Sequence, residues 1–393
     1  ARHLEQHAEL LAFRTLAMIP EERPQVDEAG AWLVDLMSGI GIENAAYHSD
    51  ALLVTGEIIS DETQPTILVY GHFDVQPVDE SRWDTDPWVA TEVDGKIYGR
   101  GSTDNKGMII AFLSTLEGLI ATDGSLPVNV KFIWDGAEEF GSQGMPAWLT
   151  ENSDWIAGAD FGVNVDAMMA ADDQGLMWRG LRGGSDVEVR LTSANTALHS
   201  GIYGGAAPNA AVAASKIIAS MWNADGTVAI EGFADDVIAA TEMQRAEIAA
   251  AVEGVDEAQA RKRLDIAEWV GDEDYTIIER TWIRPSLDVT GVKSGYLDGK
   301  ASIIPFDAWF RVMSRTAPGQ DPVKVNEAIM AHIKKHTPWG VRVEMNASSF
   351  GGAPFFDDTD LGFQIGKQVL ADYFKIPPQV LYVGGGVPAL AYV

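Results

Sequence analysis

TILVYGHFDVQP, residues 66–77, decides the fold. Its first half is an unbroken run of β-branched and apolar residues, which reads as a buried strand. The run then passes into a loop that opens with His72 and Asp74. Two later stretches repeat this layout. VNVKFIWDGAEE (128–139) ends in Glu138 and Glu139, and DFGVNVDA (160–167) ends near Asp166. Between the first two strands, GMIIAFLSTLEGLIA (107–121) carries helical periodicity. Strands alternating with helices predict an α/β domain with a mostly parallel sheet and helices on both faces. In such sheets ligands bind beyond the C-terminal ends of the strands. His72, Asp74, Glu138, Glu139 and Asp166 all fall at such ends.

The pattern changes after about residue 182. SDVEVRLTSA (185–194) alternates apolar and polar residues as a half-exposed antiparallel strand does. NAAVAASKIIASMW (209–222) reads as a helix, residues 233–270 are rich in Ala, Glu and Asp with helical periodicity, and FDAWFRVMSR (306–315) is again a strand. DPVKVNEAIMAHIKKH (321–336) is a helix with an acidic start and a basic end, as the helix dipole favours. VRVEMNASS (341–349) is a further strand. The expected organisation is a first domain at 1–182, an inserted α+β unit at 183–350, and a return to the first domain at 351–393.

Composition narrows the function. Lys and Arg total 28 against 58 Asp and Glu, a formal net charge of −30. A surface so negative repels phosphate backbones, which argues against nucleic-acid and anionic-membrane partners. The chain has no cysteine, so disulfides, thiol catalysis and thiolate metal sites are excluded. No apolar run reaches the roughly 18 residues of a membrane span. The N-terminus ARHLEQHAELLAFRTLAMIP reads as an amphipathic helix and not as a signal peptide, so a cytoplasmic location is expected.

Several motifs can carry chemistry, and each has a plainer reading. His72 and Asp74 suit a metal-ligating imidazole and its orienting carboxylate, or else a turn His and a capping Asp. GRGSTDNKG (99–107) is a Gly-rich loop that opens a helix, without the Gly-Lys-Ser/Thr order of a phosphate loop. Asp104 within it is a metal ligand or an N-cap. Glu138 and Glu139 form either a solvated acidic loop or a pair in which one binds a cation and the other handles a proton. Hard oxygen donors with one imidazole and no thiolate suit two Zn²⁺, or Mn²⁺ or Co²⁺, sharing a carboxylate. Trp83 and Trp88, in SRWDTDPW (81–88), read as a packed loop, and His332 and His336 as helix residues outside any site.

HFDVQP, YGRGSTDNKG, the Glu138–Glu139 pair before FGS, LRG (181–183), LHSGIYGG (198–205) and RTAPGQDP (315–322) together resemble the dinuclear zinc peptidase family. That family includes carnosinase-type dipeptidases, glutamate carboxypeptidase, acetylornithine deacetylase and succinyl-diaminopimelate desuccinylase, and the dipeptidase branch is the nearest in motif. The resemblance implies that His72 and Asp166 bind the first metal, Asp104 bridges both, and Glu139 binds the second. Glu138 would be the general base and Asp74 would orient His72. His199, on the inserted lid and dimerisation domain, would stabilise the oxyanion in the partner's site of a homodimer. Arg315 would pair with the substrate's carboxylate, with Gly385 and Gly386 offering backbone N–H groups.

The family carries a further His near its C-terminus. Here the seven His are at 3, 7, 48, 72, 199, 332 and 336, so the chain, ending at Val393, is expected to be cut short. Tyr382 and Val383 stand where dipeptidase relatives carry an Arg-Glu pair. The expected activity is two-metal cleavage of dipeptides or short peptides bearing a free C-terminal carboxylate. The alternatives are an N-acyl amino acid deacylase and a non-catalytic binding protein on the same fold.

Overall fold

The computed structural model describes residues 2–253, 256–295, 302–350 and 352–387. They form two compact units, one over residues 2–172 with 364–366, the other over the rest of 173–387.

The first unit begins with helices α1 (Arg2–Ala12) and α2 (Arg23–Gly39). Strands β1 (Glu43–His48), β2 (Leu53–Ile58) and β3 (Thr66–His72) follow, then a small hairpin of β4 (Thr91–Val93) and β5 (Lys96–Tyr98). Next come α3 (Lys106–Asp123), β6 (Asn129–Asp135), α4 (Met145–Glu151), α5 (Ser153–Ala157) and β7 (Phe161–Asn164). The sheet order is β1-β2-β6-β3-β7. β3 runs parallel to both β6 and β7, whereas β2 pairs antiparallel with β6 and with β1. The sheet is therefore mixed, not mostly parallel. The strands read in sequence as the parallel core are parallel. The departure comes from β1 and β2, joined by a tight turn at the sheet edge, where antiparallel pairing needs only a short connection.

The periodicity has a direct packing consequence. All seven residues of β6 are buried, as are six of the seven in β3. Leu33, Met37, Val54, Val69, Phe73, Ile109, Leu113, Phe132 and Trp134 share one core. Truncating an aromatic at its centre, such as Phe132, to Ala should cost about 3–5 kcal/mol. α3 ends where Gly124 takes the left-handed conformation (φ 78°) that closes a helix without a Cβ penalty. The core fixes the height of β3, β6 and β7, and so places the loops at their C-terminal ends.

The second unit holds β8 (Leu176–Leu181), β9 (Gly183–Thr192), β10 (Leu198–His199), α6 (Ser200–Tyr203) and α7 (Ala210–Ala219). The acid-rich segment supplies α8 (Glu242–Ala251) and α9 (Glu257–Arg263), and α10 (Ile277–Trp282) follows. Then come β11 (Ser286–Ser294), β12 (Ile303–Ile304), β13 (Asp307–Thr316), α11 (Pro322–His336), β14 (Arg342–Phe350), α12 (Leu361–Phe374) and β15 (Gln379–Val383). Its four-stranded sheet, β11-β13-β9-β14, is antiparallel throughout. Along β13 buried and half-buried residues alternate strictly: Ala308, Phe310, Val312, Ser314 and Thr316 point inward. The inward apolar residues meet α7 and α11 through Ala213, Ile217, Ile329 and Ile333. Arg315 therefore lies on the opposite face, at the end of the strand. β15 pairs parallel with β8 and leads into Gly384–Gly386. No described helix is long and apolar enough to cross a membrane.

Candidate metal centre

His72 is the last residue of β3 and is fully buried. Its Nδ1 lies 3.1 Å from the Asp74 carbonyl oxygen and 3.4 Å from the Asp74 carboxylate. These partners occupy Nδ1 and leave Nε2 for the centre of the site. Nε2 is 2.9 Å from Asp104 Oδ1 and 3.7 Å from Asp166 Oδ2. One ligand atom from each of His72, Asp104 and Asp166 falls within 4.8 Å of the other two, a spacing that can hold a metal ion.

Asp74, also fully buried, braces the neighbouring loop as well. Its carboxylate accepts hydrogen bonds from the backbone N–H groups of Glu138 and Glu139, both at 3.0 Å. The two glutamates start a short 3-10 turn directly after β6. Beneath that turn, buried Asp135 accepts from Ala137 N (2.8 Å), Ser142 Oγ (2.5 Å) and Tyr70 Oη (3.2 Å). Gln76 Nε2 donates to Glu139 Oε2 at 2.8 Å.

Asp104 does not cap α3. Asn105 occupies the N-cap position, and Asp104 turns its carboxylate to His72. Asn105, fully buried, accepts from the backbone N–H of His72 and donates to Asp166 Oδ1 (3.3 Å) and to the Val165 carbonyl (3.3 Å). One amide thus ties together the three loops that carry the three candidate ligands. The next residue, Lys106, is fully buried and donates to the carbonyls of Leu10 and Phe13, anchoring the loop to the end of α1. Gly71 leaves room for this arrangement, since a Cβ there would sit 2.7 Å from Asn105 Oδ1.

So many carboxylates around one imidazole perturb one another. Burial pushes Glu138 up to about 8, with Asp74, Asp166 and Glu139 adding to the rise against the pull of His72. Glu139 and Asp166 are also raised, chiefly by burial. Asp104 is lowered by its hydrogen bond to His72. Burial works against a charged His72, but its bonds to Asp104 and Asp74 outweigh that and hold its pKa well above the usual imidazole value. An electrostatic trap of this kind favours a cation. The donor set, one imidazole with oxygen ligands, fits a divalent ion of the Zn²⁺, Mn²⁺ or Co²⁺ type.

The structure gathers His72, Asp74, Asp104, Glu138, Glu139 and Asp166 in the first unit. His199, Arg315, Gly385 and Gly386 belong to the second. His199 is exposed at the head of α6, where its Nδ1 accepts from Gly201 N at 3.0 Å. Arg315 is the penultimate residue of β13, opposite Gly184 of β9 and Ser286 of β11. Trp83 and Trp88 pack under Arg100 and Arg14 as loop residues. His332 and His336 stack on each other in α11. Sequence reasoning missed Asn105, Gln76 and Asp135. None of the three had a local signal, since each acts on segments distant in sequence.

The sequence profile of Peptidase family M20/M25/M40 matches residues 68–387. Human Beta-Ala-His dipeptidase is 28% identical over 344 residues, which cover 86% of this chain and 67% of that protein. Cysteinylglycine-S-conjugate dipeptidase of Corynebacterium striatum is 27% identical over 397 residues, 98% of this chain and 84% of that protein. Among solved structures, an M20 family metallo-carboxypeptidase from Sulfolobus solfataricus superposes with a TM-score of 0.83 at 28% identity, covering 100% of this chain and 88% of that one. The chain spans 58–67% of the length of the human, rat and mouse dipeptidases that it matches.

Proposed function

This chain belongs to the M20/M25/M40 peptidase family, and we propose that it is a two-metal hydrolase cleaving the peptide bond of dipeptides or short peptides with a free C-terminal carboxylate. The observation that carries this is the buried His72 imidazole whose Nε2 faces Asp104 and Asp166, with Glu138 and Glu139 pinned beside it through Asp74. His72, Asp104 and Asp166 would hold one divalent ion, and Asp104 and Glu139 would take part in holding a second. Two bound cations would lower the pKa of water and polarise the scissile carbonyl, so that hydrolysis runs near neutral pH.

The chain's own groups do the rest. Asp74 holds the His72 ring through Nδ1 and fixes the backbone of the two glutamates. Glu138 accepts the proton of the attacking water and returns it to the leaving amine, a role open to a carboxylate whose backbone Asp74 holds beside the His72 imidazole. His199 stabilises the developing oxyanion from a partner copy. Arg315, with the backbone N–H groups of Gly385 and Gly386, receives the substrate's carboxylate. Zinc as the metal, residues 183–350 as lid and dimerisation domain, a homodimer and a cytoplasmic location complete the proposal.

Elemental analysis together with rates on dipeptides and on N-acetyl and N-succinyl amino acids tests it. About two metals per chain and faster dipeptide cleavage are expected. Faster deacylation would move the chain to the N-acyl amino acid deacylases. No metal after zinc supplementation, with no turnover, would make it a non-catalytic binding protein.

A further inference from the structure

We infer that Arg182 is a positioning residue for carboxylate recognition, which clamps the Gly384–Gly386 loop and sets a second guanidinium beside Arg315. The inference rests on Arg315 and the glycine loop receiving the substrate's carboxylate, as proposed above.

Arg182 lies between β8 and β9 and is only 9% exposed. Its backbone N–H donates to the carbonyls of Gly385 (3.1 Å) and Val383 (3.3 Å), and its Nε to the carbonyl of Gly384 (3.1 Å). One residue thus binds three successive carbonyls of the loop, so the loop's shape depends on it. The glycines record the same closeness. A Cβ on Gly386 would lie 2.3 Å from the Arg182 carbonyl oxygen, and one on Gly384 would lie 2.7 Å from the Thr281 carbonyl oxygen. On Gly385 it would meet nothing within 4 Å. The outer two glycines are needed for the fit onto Arg182 and α10, while the middle one borders open space.

The guanidinium also reaches towards Arg315. Its Nη1 lies 3.4 Å from Ser286 Oγ, and Ser286 is the residue of β11 paired with Arg315. Among the described residues, the hydrogen-bond acceptors of the Arg182 side chain are all neutral: the carbonyls of Gly384 and Arg284, and the Ser286 hydroxyl. Burial, and then Arg315 beside it, pull the Arg182 guanidinium down to about 10, with exposed Asp288 opposing. Two guanidiniums kept close, one of them with only neutral acceptors, make a place where an arriving carboxylate lowers the energy.

The test compares one dipeptide with its C-terminal amide on the parent chain, Arg182→Met and Arg182→Lys, with metal content measured in each. In Arg182→Met, KM for the free dipeptide should rise at least about tenfold as the glycine loop loses its clamp, an effect of the size of one charge-assisted hydrogen bond. Its kcat should hold, and kcat/KM for the amide should stay near the parent's. Arg182→Lys keeps the charge but not the fork that holds the loop, and should show the same selective rise to a smaller extent. Equal losses on both substrates would make Arg182 merely structural and overturn the inference, as would an unchanged KM. If Arg182→Met does not fold, Arg182→Lys decides by the same criteria. A parent chain inactive on the free dipeptide would instead overturn the functional reading itself, and the inference with it.

Discussion

The two units carry opposite charges at the ends of their sheets. In the first, the C-terminal ends of β3, β6 and β7 gather carboxylates around a single imidazole. In the second, the start of β9 and the end of β13 bring Arg182 and Arg315 together. The architectures differ in the same way. The three parallel strands send their C-terminal ends in one direction, so residues distant in sequence converge there. The antiparallel sheet alternates its ends, so Arg182 and Arg315 meet where the start of β9 lies against the end of β13. The difference teaches that a net charge of −30 conceals two local concentrations of charge, one of carboxylates around an imidazole and one of two arginines.

The sharpest way to break that comparison is to empty the first cluster of its base. Glu138→Ala should lower kcat by about 10²–10⁴-fold while metal content stays at the parent level. Parent-like kcat would remove Glu138 from the chemistry. Next in size, His199→Ala should cost about 10²-fold in kcat. Mixing it with Glu138→Ala chains should restore part of the activity if sites are completed across a dimer, and no restoration would confine each site to one chain. Smaller again is the effect of crowding the glycine loop. Gly386→Ala forces a Cβ against the Arg182 carbonyl and should destabilise by roughly 1–3 kcal/mol, seen as a lower Tm, whereas Gly385→Ala should leave Tm near the parent value. Equal Tm values for the two variants would mean that the loop is not seated on Arg182.

The smallest effect contrasts a paired arginine with Arg182. Arg245 of the second unit meets Glu279 directly, at 2.5 Å and 3.1 Å. Burial alone would raise Glu279, but Arg245 and the N–H and hydroxyl of Thr276 outweigh it and lower its pKa. A carboxyl depressed in the folded state adds stability above its ordinary pKa and loses it as pH falls through the folded value. Glu279→Gln should therefore lower Tm by a few degrees at pH 7, and the gap to the parent should narrow as pH falls below the ordinary carboxylate range. A gap independent of pH would show that the pair acts through packing and not through charge.

The site was legible in the sequence where strand ends announced it. His72, Asp74, Glu138, Glu139 and Asp166 each follow a buried apolar run, and the run itself predicts the place. Asp104 could not be separated from an N-cap on that basis, because both readings put an acid before a helix; only the bond to His72 separates them. Asn105, Gln76 and Arg182 act on partners 33, 63 and 202 residues away, and no local pattern encodes such contacts. The antiparallel attachment of β2 to β6 was hidden for the same reason, since a buried strand looks alike whichever way its neighbour runs.

Sequence alone determined the alternation of elements, the excess of acid, the absence of thiols and the family motifs, because periodicity and composition act over a few residues at a time. Tertiary structure alone decided which imidazole nitrogen faces the carboxylates, which amide binds three loops together and which arginine holds the glycine turn. Those facts depend on distances between segments that only a closed core brings within reach.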